Sequence, residues 1–404
     1  MKRQLLLLST CTLLLVMLLT WSAEATAYGR PFIPAESIHS MSGGDPLTLF
    51  ASSNKFLHAA ADSTYLPFIS KSEWRTGQNN GWLIECVICP KPFWSMTDRS
   101  LRVDRQGQPH IAYGGDQLYY AWFDGTAWHD ETVVDYPGVG SYPSLALDSQ
   151  DRPHISFFDA ANEVVKYVKW TGNSWSFQTI GVSSVQTGSY TSIALDTNGR
   201  PYISYYDGVD NELKCVHWTG SQWVTQVVDT GYVIGEYNSI ALDAADQPHI
   251  SYYDFSNQQL KYASWTGNLW ETQLVNDQAG RYNSLSLDSD GNPHISYYDG
   301  AGLLRYAYWD GSAWHTETVD TSLDGYPIST SLALDVQGRP HIGYIDGQHQ
   351  TVKYATWNGT SWDVQTVITH RCTPASLGLD SSGKAHFACH DYTNGGGLTY
   401  AHNP

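Results

Sequence analysis

From Ser100 onward, apolar and polar residues alternate with a period of two in short runs separated by Gly, Asp and Pro. Such alternation predicts half-buried strands, and the separators predict tight turns. The run from Ser284 to Val319, SLSLDSDGNPHISYYDGAGLLRYAYWDGSAWHTETV, contains one whole unit of four strands. The first is of SLALD type, as in Ser144 to Asp148 and Ser331 to Asp335. A D-x-x-G-x-P turn follows (Asp288 to Pro293, Asp335 to Pro340). Gly permits the left-handed turn there, and Pro stands at a strand entry that needs no ladder donor. The second strand reads HISYYD, and the third is of LKYAxW type (Leu260 to Trp265, Val352 to Trp357). A G-x-x-W turn leads into the fourth, as in Gly359 to Trp362 and on to Val367.

The unit recurs. Its first Ser stands at Ser100, Ser144, Ser192, Ser239, Ser284, Ser331 and Ser376, at intervals of 44, 48, 47, 45, 47 and 45 residues. A fixed period of this length is the signature of a repeat architecture. The seventh unit has SLGLD, AHFACHD and LTYAHNP but no fourth strand before Pro404. Gly81 to Ile88, GWLIECVI, has the Gly-Trp start and apolar end of a fourth strand and stands just ahead of Ser100. An open ring would leave an unpaired edge, so this N-terminal strand is expected to complete the last blade. The expected fold is all-β: a seven-bladed β-propeller over residues 81–404. The SLALD-x-x-G-x-PHISYYD pattern resembles the NHL and BNR-like propeller repeats of secreted bacterial proteins. That resemblance implies the ring and leaves activity open, because such rings serve as lectins, adhesion modules, lyases and hydrolases. The repeat pattern lacks the Trp-Asp ending of WD repeats and the S-x-D-x-G-x-x-W box of sialidases.

The N-terminus reads differently. Lys2 and Arg3, the apolar run Leu5 to Thr20 and the small-residue sites around Ala23 to Ala27 have the layout of a secretory signal peptide over residues 1–27. An uncleaved anchor is the alternative, and Cys11 within the apolar run does not suit lipid anchoring. Residues 28–80 show no sustained period and are expected to be extended or partly disordered. A secreted or cell-surface protein, monomeric and without membrane insertion after cleavage, is the expectation. The formal charge of −18 excludes nucleic acid as a natural partner, since phosphate binding needs clustered Lys and Arg. Abundant Trp and Tyr, 16 and 27, with only 15% charged residues suit a β-rich chain with half-buried rings.

Export makes disulfides plausible among Cys86, Cys89, Cys372 and Cys389. Cys86-x-x-Cys89 reads as a structural staple rather than a redox or zinc pair. Cys89 and Cys372 fall in equivalent connections of neighbouring blades, which predicts a bridge between them. Cys215 replaces the Tyr of other units (Tyr167, Tyr262, Tyr306) and reads as a buried free thiol.

Most residues able to do chemistry are repeated, and repetition is first a folding feature. Asp104, Asp148, Asp196, Asp243, Asp288, Asp335 and Asp380 end strand one. His110, His154, His249, His294, His341 and His386 open strand two, with Tyr202 in the third blade. Across one hairpin they form cross-strand pairs that hold the turn, in preference to a ring of metal ligands or bases. Two sets of Trp, Trp170, Trp218, Trp265, Trp309 and Trp357 with Phe123, and Trp82, Trp128, Trp175, Trp223, Trp270, Trp314 and Trp362, read as interblade packing rather than sugar platforms.

Three groups stay open as ligand contacts. The end of strand two carries Tyr206-Asp207, Tyr253-Asp254 and Tyr298-Asp299, with variants at Asp159 and Asp346. Rings beside carboxylates suit sugars, and several carboxylates around one mouth could hold Ca²⁺; the competing reading is turn chemistry. At the closure seam, blade one has Gly114-Gly115 in place of Tyr-Asp and Arg102 in place of a small residue. Blade seven has Cys389-His390-Asp391. Arg102, His390 and Asp391 together would grip an acidic sugar. The leading reading is a non-catalytic propeller binding a glycan or another cell-surface ligand, with no cofactor required. A polysaccharide lyase or hydrolase with a seam pocket, and a protein-binding adhesion module, are the alternatives.

Overall fold

The computed structural model describes residues 77–180, 187–277, 279–321, 329–393 and 396–404. The signal peptide and most of the expected N-terminal segment lie outside these residues. The described residues form strands and turns, without a helix, in seven antiparallel sheets. Each sheet is one blade with its strands in chain order, as in blade four: Ile234–Leu242, Pro248–Asp254, Gln259–Trp265 and Trp270–Asn276. Blade seven is composite. Its strands Cys372–Leu379, Ala385–Asp391 and Gly397–His402 are joined by Trp82–Ile88, with Ile84 opposite Ala401. The ring therefore closes with the N-terminal strand, and Gly77–Asn79 adds a short fifth strand outside it.

Three repeated contacts join each blade to the next. Apolar residues of adjacent sheets interdigitate, as where Ile155 and Phe157 of blade two meet Ala112 and Tyr120 of blade one. At the inner edge, the repeat Ser accepts the backbone N–H of the following blade: Ser144 from Ile193, Ser192 from Ile240, Ser239 from Leu285 and Ser284 from Leu332, each at 3.1 Å. Ser331 and Ser376 continue the ladder to Leu377 and Leu101, at 3.0 Å. A hydroxyl is the smallest side chain able to bridge there, which accounts for its recurrence. At the rim, six of the seven strand-four Trp donate the indole N–H to a Glu or Gln of the preceding blade: Trp128 to Glu85, Trp175 to Glu131, Trp223 to Gln178, Trp314 to Gln273, Trp362 to Glu317 and Trp82 to Gln365; the Trp270 indole has no acceptor among the described residues. These rings are interblade packing.

The expected Asp–His pairs acquire a third member. His154 Nε2 lies 3.5 Å from Asp148, and its Nδ1 meets the Tyr167 hydroxyl at 2.6 Å. His341, with Asp335 and Tyr354, and His386, with Asp380 and Tyr400, repeat the arrangement. So do His110, His249 and His294, with Asp104, Asp243 and Asp288 and the hydroxyls of Tyr120, Tyr262 and Tyr306. A neutral ring with its proton on Nε2 satisfies both neighbours, accepting from Tyr and facing Asp. The Asp carboxylate also holds the turn; Asp148 Oδ1 accepts from Gln150 and Arg152 backbone N–H groups. Blade three changes both partners together, with Tyr202 for His and the buried free Cys215 for Tyr. The larger ring in one place is matched by the smaller thiol in the other.

This relay gives a pH prediction. Burial pushes His154 and His386 down to about 4, against Asp148 and Asp380, which act upward. The unfolded chain's histidines titrate near 6.5, so the unfolded state takes protons first as pH falls. The stability these rings provide is full above pH 6.5 and is lost between 6.5 and 4, at about 1.4 kcal/mol for each tenfold difference in proton affinity between the folded and unfolded chain. Urea midpoints should be level from pH 8 to 7 and fall steeply below 6.5; a level curve down to pH 4 would refute the neutral relay.

The disulfides correct one expectation. The bridges are Cys86–Cys89 and Cys372–Cys389, so Cys89 and Cys372 are not partners. Cys372 and Cys389 sit on paired neighbouring strands across a bulge, with Cα atoms 5.5 Å apart. Cys86 and Cys89 close the end of the N-terminal strand on itself. Equivalent loop positions in neighbouring blades are a poorer guide than a shared ladder.

Between the closing strand and the first strand of blade one, residues 93–100 cross the ring axis. Asp98 accepts from Ser284 at 2.8 Å and Ser239 at 3.3 Å through its carboxylate, and from Ser331 and Ser376 through its backbone carbonyl. Arg99 donates to Ser239 and to the Leu285 carbonyl, and its own carbonyl accepts from Leu145. Ser100 and Thr97 both donate to the Pro143 carbonyl. One short segment thus ties blades one, two, four, five, six and seven together at the axis. Burial raises the Asp98 carboxyl and lowers the Arg99 guanidinium, and each opposes the shift of the other.

Candidate functional site: the loop face

The inner strand of each blade begins beside the end of the second, as Val139 pairs with Asp159. The loops between strands two and three, and those between blades, therefore share one face. The D-x-x-G turns occupy the other.

On the loop face each inner strand of blades two to five carries a bulge and a Tyr with positive φ: Tyr142 (52°), Tyr190 (61°), Tyr237 (52°) and Tyr282 (54°). A bulky residue in the left-handed region costs on the order of 1 kcal/mol or more and persists only where its surroundings hold it. The next blade supplies that hold. Thr191 donates to the Tyr142 carbonyl, Asn238 to that of Tyr190 and Thr330 to that of Tyr282. Turned inward, the four half-buried rings form an arc with successive centroids 4.7, 4.6 and 4.4 Å apart. Hydrogen bonds link Tyr190 to Tyr237 and Tyr237 to Tyr282. Burial raises the Tyr190 and Tyr237 phenols well above their usual range, with Glu236 acting the same way on both, so both stay protonated. Neutral hydroxyls both donate and accept, which suits polyol recognition.

The axial segment forms the other side. Trp94 and Ser95 donate their backbone N–H groups to Gly114, and Ser95 Oγ accepts from the Tyr142 N–H at 2.7 Å. Trp94 lies across Gly115, where a Cβ would stand 2.5 Å from the indole nitrogen. The Gly114-Gly115 departure therefore makes room for this segment. Trp94 itself is 59% exposed. Tyr232 (73%), Phe255 (38%) and Tyr392 (41%) are exposed in other loops of the same face. Of the large aromatic residues exposed among the described residues, Phe177 alone lies elsewhere, on a fourth strand.

The residues expected at the end of strand two are placed differently from an open mouth. Asp159 holds the Asn162 N–H and pairs with Lys166 at 2.7 Å. Asp207 holds Val209 and pairs with Lys214 at 2.6 Å; Asp299 holds Ala301 and Leu303 and pairs with Arg305 at 2.7 Å. Asp254 holds Asn257, and Asp346 holds Gln348. These are turn and ion-pair contacts. Among the described residues no three His, Cys, Asp or Glu converge as metal ligands. Tyr298 is buried with its hydroxyl on the Ile345 carbonyl, and Tyr206 donates to Asn211. Tyr253 is buried beneath Arg281, whose guanidinium carbon lies 5.8 Å from the ring centre.

The seam trio is not brought together. Arg102 donates to the Leu101 carbonyl and joins Asp98 and Arg99 at the axis, where burial and Arg99 lower it to about 9 against Asp98. His390 instead packs between Phe93 and Tyr392, with ring centres 4.3 and 4.2 Å away. Asp391 meets His370 at 3.2 Å. The tyrosine arc is absent from the sequence-based expectations, although Tyr stands two residues before the repeat Ser in four successive units.

No family model matches the chain, and no curated protein matches it. Among solved structures, an ulvan lyase described as a new polysaccharide lyase family is similar at TM-score 0.55 and 12% identity, over 76% of this chain and 92% of that one. A hydrazine synthase of Kuenenia stuttgartiensis matches at TM-score 0.55 and 10% identity, over 78% and 98%. A six-bladed fungal lectin, that of Aleuria aurantia, matches at TM-score 0.47 and 13% identity, over 70% and 99%. At these identities the likeness concerns the fold alone. The chain is a seven-bladed β-propeller in which the exposed aromatic rings among the described residues, Phe177 apart, gather on one face with an arc of four tyrosines.

Proposed function

We propose that the protein is an exported binding propeller of NHL/BNR-like repeats that takes a carbohydrate on its loop face. The observation that carries this reading is the concentration of exposed rings, Trp94, Tyr232, Phe255 and Tyr392, on the face that also holds the strained tyrosine arc. Apolar ring faces stack on sugar rings, while protonated phenols exchange hydrogen bonds with sugar hydroxyls. Strain retained at four equivalent positions, three of them clamped by a hydrogen bond from the next blade, is characteristic of a site held in a fixed shape. The two disulfides support an oxidising, extracellular setting.

A glycan array probed with the protein from residue 28 onward tests the reading. Binding to the strongest hit should weaken about tenfold in Trp94→Ala, in line with the loss of one stacked ring. The exposed position of Trp94 leaves the urea midpoint close to wild type. Unchanged affinity in both Trp94→Ala and Tyr232→Ala, or an array without hits, would refute it.

A further inference from the structure

The loop face of blade seven carries a cation that differs from four others of that face. Lys166, Lys214, Arg305 and Lys353 are each paired with an Asp. Arg371 is exposed and, among the described residues, has no carboxylate within ion-pair distance. Its guanidinium carbon lies 4.3 Å from the centre of the exposed Tyr392 ring, and the Tyr392 N–H donates to the Arg371 carbonyl. Tyr392 rests on His390, and His390 on Phe93, so the guanidinium is backed by a column of three rings. Cys372 and Cys389, next in the chain to Arg371 and His390, are disulfide-bonded and fix the two strands relative to each other. The nearby carboxylate is already engaged: Asp391 faces His370 and accepts from the Thr393 N–H and hydroxyl at 2.7 and 2.6 Å.

A stacked, unpaired guanidinium presents its edge to solvent in the geometry that grips a planar or tetrahedral oxyanion through two parallel hydrogen bonds. We propose that Arg371, backed by Tyr392, is the subsite for an acidic substituent, a carboxylate or sulfate, of the glycan taken by the loop face. This rests on the carbohydrate reading above. His390 does not share the charge. It is 5% exposed, neither ring nitrogen has a hydrogen-bond partner among the described residues, and burial holds it down to about 4. Above pH 5 the His390 ring is therefore neutral and adds no charge beside the guanidinium. The acidic-sugar site expected at this seam from the sequence is, in this proposal, served by Arg371 in place of the buried Arg102.

The array for this test holds neutral, uronate-bearing and sulfated glycans, the last two distinguishing carboxylate from sulfate. The expected hits are anionic, with affinity falling on the order of tenfold to hundredfold in Arg371→Ala. Arg371→Lys should recover only part of the loss, since an ammonium keeps the charge without the fork. Both variants sit at an exposed position and should keep the wild-type urea midpoint. Equal binding of neutral and anionic glycans, or an unchanged affinity in Arg371→Ala, would overturn the subsite while leaving a Trp94-dependent loop face in place. Failure of every glycan to bind would overturn both.

Discussion

Deletion of residues 77–88 is expected to abolish soluble, monomeric protein. The deletion removes the fourth strand of blade seven and leaves the mostly buried strand Gly397–His402 as an unpaired edge, where every other blade covers its third strand with a fourth. Exposed edges of this kind template pairing with other chains. It also removes Trp82, which is fully buried against Tyr354 and Phe387 and bonded to Gln365 of blade six. The milder variant Trp82→Ala isolates that contribution. It should lower stability by about 3–5 kcal/mol, the usual range for deleting a buried indole, read from urea midpoints. Light scattering and size exclusion would check the deletion. A monomer with the wild-type urea midpoint would mean that the ring does not depend on its N-terminal strand.

Asp98→Ala is expected to be nearly as severe. Its carboxylate lies 3.7 Å from Arg99 and accepts from two inner-edge serines. Removing it leaves Arg99 at the axis without its counter-ion, a change that costs about 3–5 kcal/mol in buried pairs. Asp98→Asn keeps an acceptor for Ser284 and should lose less. The difference between the two variants separates the charge from the hydrogen bonds. Urea unfolding of both gives the answer, and a loss under about 0.5 kcal/mol in Asp98→Ala, the size of an ordinary surface change, would show that the axial segment does not hold the ring.

Much of the fold was legible because a propeller repeats its local rules. Period-two alternation, a D-x-x-G turn and a Gly-Trp turn define four strands wherever they occur, and the missing fourth strand of the last unit identified its replacement. The Asp–His pairing could be read from one short hairpin. Its Tyr partner could not, because the hydroxyl arrives diagonally from strand three. The pairing of Cys372 with Cys389 was hidden for a related reason. A bulge shifts their register by an amount that the alternation does not reveal.

The sites were less legible. Tyr-Asp at the end of strand two carries ligand-like residue types, yet whether a carboxylate is open depends on a Lys or Arg reaching it from the next strand or a neighbouring blade. That is a matter of distance, and only folding supplies it. Residues 93–99 precede the first repeat and contain few cues. Their course across the axis explains Arg102 and Gly114-Gly115 together, two departures that resemble a binding site in the linear chain.

The ring, its seven units, its mode of closure and the scaffold role of the repeated Asp and His all follow from local periodicity, which each unit expresses independently and which can be read without coordinates. Which side chains face outward, which charges are paired and which rings meet are set by the packing of blades against one another. Trp94, the tyrosine arc and Arg371 come from segments far apart in the chain, and their place on one face depends on how the closed ring packs around its axis.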